Sequence, residues 1–201
     1  MGRIQMFETV SVVRAARDVF WDKGFEATSV ADLEEATGLR RSSLYHCFGT
    51  KRGLFDAAVS DYLGTVVRPR LAVLHSGAAD SGALVDYFDT LRTAIQGVSG
   101  QSSRGCLLVN CAAGLAAHDT AACAVVDGYR AELTGALRDA LAAASTGPGA
   151  ALLDSRARML AALSMSAMLL ARVNRAEAVA LLVTAGDLVT AWTVRSAPVA
   201  G

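Results

Sequence analysis

The chain has 201 residues, which at a soft prior of ~150 per domain is enough for one or two domains with a buried core. Hydrophobic residues make up 53% and charged residues 19%, with a mean hydropathy of +0.36; with only three prolines and four cysteines, this excludes disordered, collagen-like, proline-rich and disulfide-framework classes. Nineteen basic and nineteen acidic side chains cancel, so bulk charge advertises no polyanionic partner, although a neutral total still permits a local basic patch.

Helical periodicity dominates, and no window alternates as a strand would. The first predicted helix, Phe7–Lys23, gathers Val10, Val13, Ala15, Ala16, Val19 and Phe20 on one stripe and ends at Gly24. Thr28 and Ser29 offer cap oxygens to a short helix, Val30–Thr37, which Gly38 closes. A third helix covers Arg40–Phe48, and Gly49-Thr50 caps the fourth, Lys51–Leu74, which Pro69 should kink or end. Ser76–Gly82 is a turn, Ala83–Val98 the fifth helix and Ser99–Gly105 a polar connection. Cys106–His118 forms the sixth helix, and Asp119-Thr120 caps a seventh that runs to Ala144. The breaker cluster Ser145–Gly149 precedes the last two, Leu152–Val173 and Arg175–Val194, with Asn174 capping between them. The expectation is all-α: about nine helices, with residues 1–50 as a small three-helix domain and 51–201 as a larger helical one.

No stretch reads as long enough to span a bilayer. The longest charge-free apolar run, Met159–Ala171, has 13 residues against the ~20 a spanning helix needs. No signal-peptide core opens the chain, and Cys47, Cys106, Cys111 and Cys123 form no CxxC pair. These features predict free thiols, a cytoplasmic location and no membrane partner. Cys47, lying between core positions, is expected to be a buried small hydrophobe.

The informative stretch is Ser29–Arg52, SVADLEEATGLRRSSLYHCFGTKR. Two short helices meet across Gly38-Leu39, with Val30, Leu33, Ala36, Leu39, Leu44 and Phe48 expected inside, a helix-turn-helix pattern. From Ala36 to Phe55 there are four bases (Arg40, Arg41, Lys51 and Arg52) and no acid, whereas the preceding 35 residues hold seven acids. Beside the bases stand Ser42, Ser43, Tyr45 and His46. A helix that begins Arg-Arg-Ser-Ser presents guanidinium forks suited to guanine edges and hydroxyls suited to phosphates.

This segment resembles the DNA-binding domain of the TetR family of transcriptional repressors. The matching positions are Phe20, Gly24-Phe25, Thr28-Ser29-Val30, Ala36-Thr37-Gly38, Leu44-Tyr45, Phe48 and Thr50-Lys51. Arg104–Asn110, RGCLLVN, also resembles the start of the family's sixth helix. The resemblance implies that Arg40, Arg41 and Ser42 read bases and that Ser43 and Tyr45 hold phosphate. His46 contacts either a phosphate or a base, or is simply solvated. Thr28 and Lys51 stand at helix starts, where backbone N–H groups and the helix dipole attract a phosphate; Thr28 also reads as a plain cap.

The last two helices are apolar nearly all round, with no charge between Arg158 and Arg172 and only Asp187 between Glu177 and Arg195. A helix of that kind needs cover on every face. Together with the resemblance this implies a homodimer through Leu152–Val194, with Leu169 and Leu182 in its interface. Such a dimer would read a palindrome in double-stranded operator DNA with recognition helices ~34 Å apart.

The resemblance further implies a pocket for a small, largely apolar effector. Its expected lining is Tyr87, Phe88, Leu91, Ile95, Cys106, Leu107, Asn110, Cys111, Tyr129, Met165 and Met168, each apolar member of which also reads as ordinary core. Asn110 needs either a buried partner or a ligand. Cys106, after Arg104-Gly105 at a helix start, reads either as an inert thiol or as an oxidant and electrophile sensor.

Cys111, His118 and Cys123 are too loosely spaced for a metal, and no cofactor is expected. There is no GxSxG, P-loop or HExxH motif, so catalysis is not expected either. The rival reading is a helical adaptor that does not bind DNA.

Overall fold

In the computed structural model of the chain, residues 2–75, 81–97, 103–112, 114–145 and 147–193 are described, and every regular element among them is helical. Compactness divides the chain into two units. One runs up to Pro69 and adds Cys106–Val126; the other comprises Arg70–Gly105 and the chain from Asp127 onward. This is not the division expected at residue 50, because the fourth and sixth helices both pack on the first.

In the first unit, α1 (Gly2–Lys23) is followed by α2 (Val30–Thr37), α3 (Arg41–Phe48) and α4, whose regular part is Lys51–Tyr62. Local chemistry sets each boundary. Ser29 and Asp32 form a reciprocal capping box: the Asp32 N–H donates to Ser29 Oγ at 3.1 Å, and the Ser29 N–H to Asp32 Oδ2 at 2.9 Å. Gly38 ends α2 at φ +69°, a left-handed position that a side chain would strain, and its N–H returns to the Glu34 carbonyl at 2.9 Å. Across this turn the Arg41 N–H donates to Glu34 Oε1 at 2.6 Å, so a carboxylate on α2 caps the otherwise uncapped start of α3. Thr50 caps α4 by accepting from the Gly53 N–H at 3.0 Å.

Phe20, Leu33, Leu44, Leu54, Ala58 and Tyr62 form the core of this unit. Burying a large apolar side chain is worth about 1.5–3 kcal/mol, so a few such residues hold three short helices together. The unit also contains α6 (Leu107–Ala112), packed on α1 and α4, and the start of α7 (Thr120–Ala144).

Pro69 does not end the fourth helix. The chain passes from Tyr62 through a π-helical turn, Leu63–Val67, into an α segment, Arg68–Ala72, and a 3-10 turn, Val73–His75. A proline ring clashes with the carbonyl four residues earlier and donates no hydrogen bond. A π turn at that point re-registers the ladder and lets the helix continue.

In the second unit, α5 (Gly82–Gln96) packs on α8 (Ala150–Leu170) and α9 (Arg175–Thr193), and these two pack on each other. The buried stripe of α9 is Ala178, Leu182, Ala185 and Val189, where two alanines permit close approach to the neighbouring helices. Leu133, Leu137 and Leu141 bury the inner face of α7, and Arg138 Nε donates to Asp154 Oδ1 at 2.6 Å, tying α7 to α8. The Asn174 side chain caps α9 through the Glu177 N–H at 3.1 Å. Counting residues 51–75 as one helix, the described residues form nine helices.

Several expectations need correction. The predicted sixth helix shortens to six residues, and a 3-10 turn, Leu115–Ala117, follows at Gly114. Cys47 and Ala36 are exposed rather than buried, because Leu44 and Leu33 occupy the inward faces of their short helices. Leu182 is only 2% exposed within its own chain. The 19 residues of α9, at a mean hydropathy of 1.3, are by length and composition alone enough to cross a membrane, contrary to the sequence reading. Residues 76–80 of the predicted Ser76–Gly82 turn, Val98 at the end of the predicted fifth helix and 99–102 of the Ser99–Gly105 connection lie outside the described residues. So do Ala113, Thr146 and Val194.

Candidate nucleic-acid interface

The eight residues of α3 separate cleanly by face. Leu44 is buried, whereas Arg41, Ser42, Ser43 and His46 are exposed, as is Arg40 at the N-cap. Tyr45 is half-buried, and its ring carries the Arg41 guanidinium, 5.1 Å from ring centroid to Cζ. That cation–π contact narrows the orientations open to Arg41 while leaving its forked donors outward. The start of the helix therefore offers two guanidinium groups and two hydroxyls together, with Glu34 engaged on backbone rather than on either arginine side chain. This arrangement suits the edge of a base pair flanked by phosphates.

Lys51 stands at the start of α4, its Nζ 4.5 Å from the centroid of the Phe25 ring. Partial burial pushes its pKa below the ordinary lysine value, an effect that Glu26 and Asp32 oppose. Arg52, next in sequence, plays a different part. Its guanidinium bonds both oxygens of Asp119 and also Asp56, at 2.8 Å, so a base counted in the acid-free run has its charge answered inside the protein. Asp119 in turn caps α7 through the Ala122 N–H at 2.8 Å, and Arg52 with that cap holds its carboxyl at about 2.

Thr28 departs from its expected role. It is 1% exposed, and its hydroxyl donates to the Gly24 carbonyl at 2.6 Å, leaving Ser29 as the cap of α2. A phosphate at this helix start would meet backbone, not the Thr28 side chain. Lys23 secures the same corner by donating to Asp32 at 2.7 Å, and this bond with the Ser29 contacts holds the Asp32 carboxyl at about 2.

The eleven residues expected to line an effector pocket fall in both units. Tyr87, Phe88, Leu91 and Ile95 form the buried face of α5, with the Tyr87 and Phe88 rings edge-on at 5.2 Å. Tyr129 and Met168 are buried, and Met165 is half-buried, all within the second unit. Cys106 and Leu107 are buried in the first unit, and Asn110 and Cys111 half-buried. Leu107, Asn110 and Cys111 share a cavity of about 230 Å³ with Phe20, Phe25 and Phe55. Reading the sequence did not assign Phe25 or Phe55 to any site; two aromatics thirty positions apart give no periodic signal. Among the described residues, no group of three or more His, Cys, Asp or Glu side chains is placed to hold a metal ion.

The family described as bacterial regulatory proteins, tetR family, matches residues 12–58, which span the α2–α3 pair and most of what supports it. Over 110 residues the chain is 34% identical to the HTH-type transcriptional repressor ComR of Escherichia coli (strain K12), covering 54% of this chain and 51% of that protein. Over 119 residues it is 34% identical to the uncharacterized HTH-type transcriptional regulator YezE of Bacillus subtilis (strain 168), covering 59% and 60%. The chain thus spans about half to three fifths of the length of these curated relatives. Among solved structures, the TetR family transcriptional regulator CifR, a cysteine mutant complexed with 26-bp double-strand operator DNA, matches with a TM-score of 0.73 and 28% identity, over 91% of this chain and 95% of that one. Residues 12–58 thus match the tetR family's DNA-binding domain, and over nine tenths of its length the chain's fold is similar to that of a TetR family transcriptional regulator.

Proposed function

We propose that the chain is a transcriptional repressor that binds a palindromic operator as a homodimer and lets go when a small, largely apolar effector binds. The observation that carries this reading is the outward face of α3, where Arg40, Arg41, Ser42, Ser43 and His46 are all exposed in a stretch without acids. The operator DNA held by CifR supports it. The proposed dimer surface is Leu152–Val194, where Leu152, Met159, Leu169 and Val183 are 43–48% exposed on helices otherwise rich in apolar residues. The proposed effector pocket is the Tyr87, Phe88, Leu91 and Ile95 face of α5, together with Tyr129, Met165 and Met168. Its apolar lining suits an uncharged molecule better than a phosphate. On this reading the protein is a cytoplasmic regulator and not an enzyme.

The test is an operator selected from random duplexes and titrated at two salt concentrations. Arg41→Ala is expected to relax preference at one base position at a cost of ~1–3 kcal/mol, and Lys51→Ala to weaken every duplex alike with a shallower salt slope. Absence of salt-dependent binding to any duplex by the wild type would favour the adaptor reading instead.

A further inference from the structure

We propose that Arg41 reads a guanine in each operator half-site, and that Glu34 and Tyr45 are the positioning residues that give it this preference. The proposal rests on the repressor reading and deepens it, by naming the base that is read and the residues that aim the reader.

The first N–H groups of a helix have no partner within it, and a short polar side chain at the N-cap ordinarily takes one of them. The N-cap of α3 is Arg40, whose guanidinium carries donors only and makes no cap bond. Glu34, on the preceding helix, takes its place: its Oε1 accepts from the Arg41 N–H at 2.6 Å. The contact spans seven positions and exists because Gly38, at φ +69°, turns the chain back. The Glu34 carbonyl accepts from the Gly38 N–H at 2.9 Å, and Thr37 Oγ1 accepts from the Leu39 N–H at 3.3 Å. The turn is thus bonded at Gly38, Leu39 and Arg41, and the backbone of Arg41 is fixed to α2.

The side chain of Arg41 is held at its other end. Tyr45 lies one helical turn on, half-buried, and the Arg41 guanidinium stands over its ring, 5.1 Å from the centroid. A mobile arginine loses rotamer freedom when it binds, and a ring that already holds the guanidinium reduces that loss. A fork resting on a ring also presents a narrow range of orientations, as bidentate contact with guanine O6 and N7 demands. Arg40 has neither anchor among the described residues, and suits a phosphate, which asks for charge and not for a fixed fork.

Charge supports the same division. Glu34 brings a carboxylate to the start of α3, where the helix dipole would otherwise attract a phosphate. A phosphate beside Arg41 would meet that negative charge, whereas a base edge carries no net charge.

The test compares full-length variants on the operator selected by the wild type, with every base pair of a half-site substituted in turn and the affinity ratio recorded at each. Arg41→Ala is expected to cut the preference for guanine at one position by about five- to 150-fold, the range that bidentate pairs supply. Tyr45→Leu, which removes the ring, is expected to cut it at that same position by about two- to fivefold. Glu34→Ala is expected to lower it there as well. It changes a partly exposed side chain of α2, so the test does not depend on Tyr45→Leu folding. Tyr45→Phe keeps the ring and Glu34→Gln keeps an acceptor, so both are expected to retain the preference whatever their overall affinity. In an Arg41→Ala background, Tyr45→Leu and Glu34→Ala are expected to add nothing at that position. A change that only loosened α3 would lower the ratios at every position alike, and that result overturns the positioning role. So does loss of the guanine preference in Tyr45→Phe. A position relaxed by Arg41→Ala that is not a G·C pair overturns the assignment of guanine to Arg41. A wild type that selects no operator at all fails the repressor reading instead, and this proposal with it.

Discussion

Asp119 shows how one side chain serves two elements at once. Its carboxylate accepts from the Ala122 N–H at the start of α7 and from the Arg52 guanidinium at the start of α4. These contacts lower its carboxyl from the usual 3.8 to about 2, and Asp32, held by Lys23 and the Ser29 cap, has a carboxyl at about 2 for the same kind of reason. The folded values lie below the unfolded ones, so the stability these carboxylates contribute is fully present above about pH 4. It is lost as the pH falls toward 2. The urea midpoint is therefore expected to stay level from pH 7 to 5 and then fall between pH 4 and 2. Asp119→Asn keeps a capping side chain but loses the charge, so it should flatten part of that fall while lowering the midpoint at pH 7. An identical acid limb in Asp119→Asn and wild type would show that the Arg52 pair does not contribute. None of this pairing was legible in the sequence, since 67 positions separate the partners and periodicity reports only near neighbours. The cap half of Asp119's role was legible, because an acid three residues before a free N–H is local chemistry.

Element boundaries were readable wherever a cap or a left-handed glycine set them. Ser29 with Asp32, Gly38, Thr50 and Asn174 each stand where the sequence placed a start or a stop. What escaped was the answer to competing local demands. Pro69 argued for a kink or an end, and the π turn at Leu63–Val67 carries the helix past it to His75, whereas the helix that starts at Leu107 stops at Ala112 although its apolar run would have extended it. Of the proposed site, the exposed arginines and serines of α3 were legible because short helices show their faces plainly. The inward hydroxyl of Thr28 was not, because its partner depends on how the turn after Gly24 folds back. The same distinction decides how the dimer surface is tested. Leu169 is 48% exposed on α8, whereas Leu182 lies inside its own chain at 2%. Leu169→Lys is therefore expected to yield folded monomers with weak operator affinity, seen as a halved mass in sedimentation with unchanged helical content. Leu182→Lys is expected instead to unfold the second unit, because a charge without a partner would be buried there. A dimer that survives Leu169→Lys moves the interface elsewhere on the chain.

At the scale of the molecule, both units are spanned by continuous helix. The helix of residues 51–75 begins at the Thr50 cap in the first unit and ends at His75 in the second, and α7 starts at the Asp119 cap in the first and runs to Ala144 in the second. On the proposed mechanism, an effector that shifts one of these helices in the second unit bears on the first through the same helix. The π turn and Pro69 mark where the hydrogen-bond ladder changes register within residues 51–75, at the boundary between the units. An effector bound in the second unit is thereby expected to alter operator affinity without touching DNA. The change is limited by the effector's own preference between the bound and released states. A 100-fold preference corresponds to ~2.7 kcal/mol, within the usual range of coupling. Linkage then requires that operator weaken the effector by the same factor. The measurement is a thermal-shift screen of uncharged hydrophobic compounds, followed by titration of each hit with and without operator and of operator with and without the hit. Equal factors in the two directions support the coupled mechanism. A hit that stabilises the protein yet binds equally well with and without operator would occupy the second unit as a passenger, and release of the DNA would then need another cause.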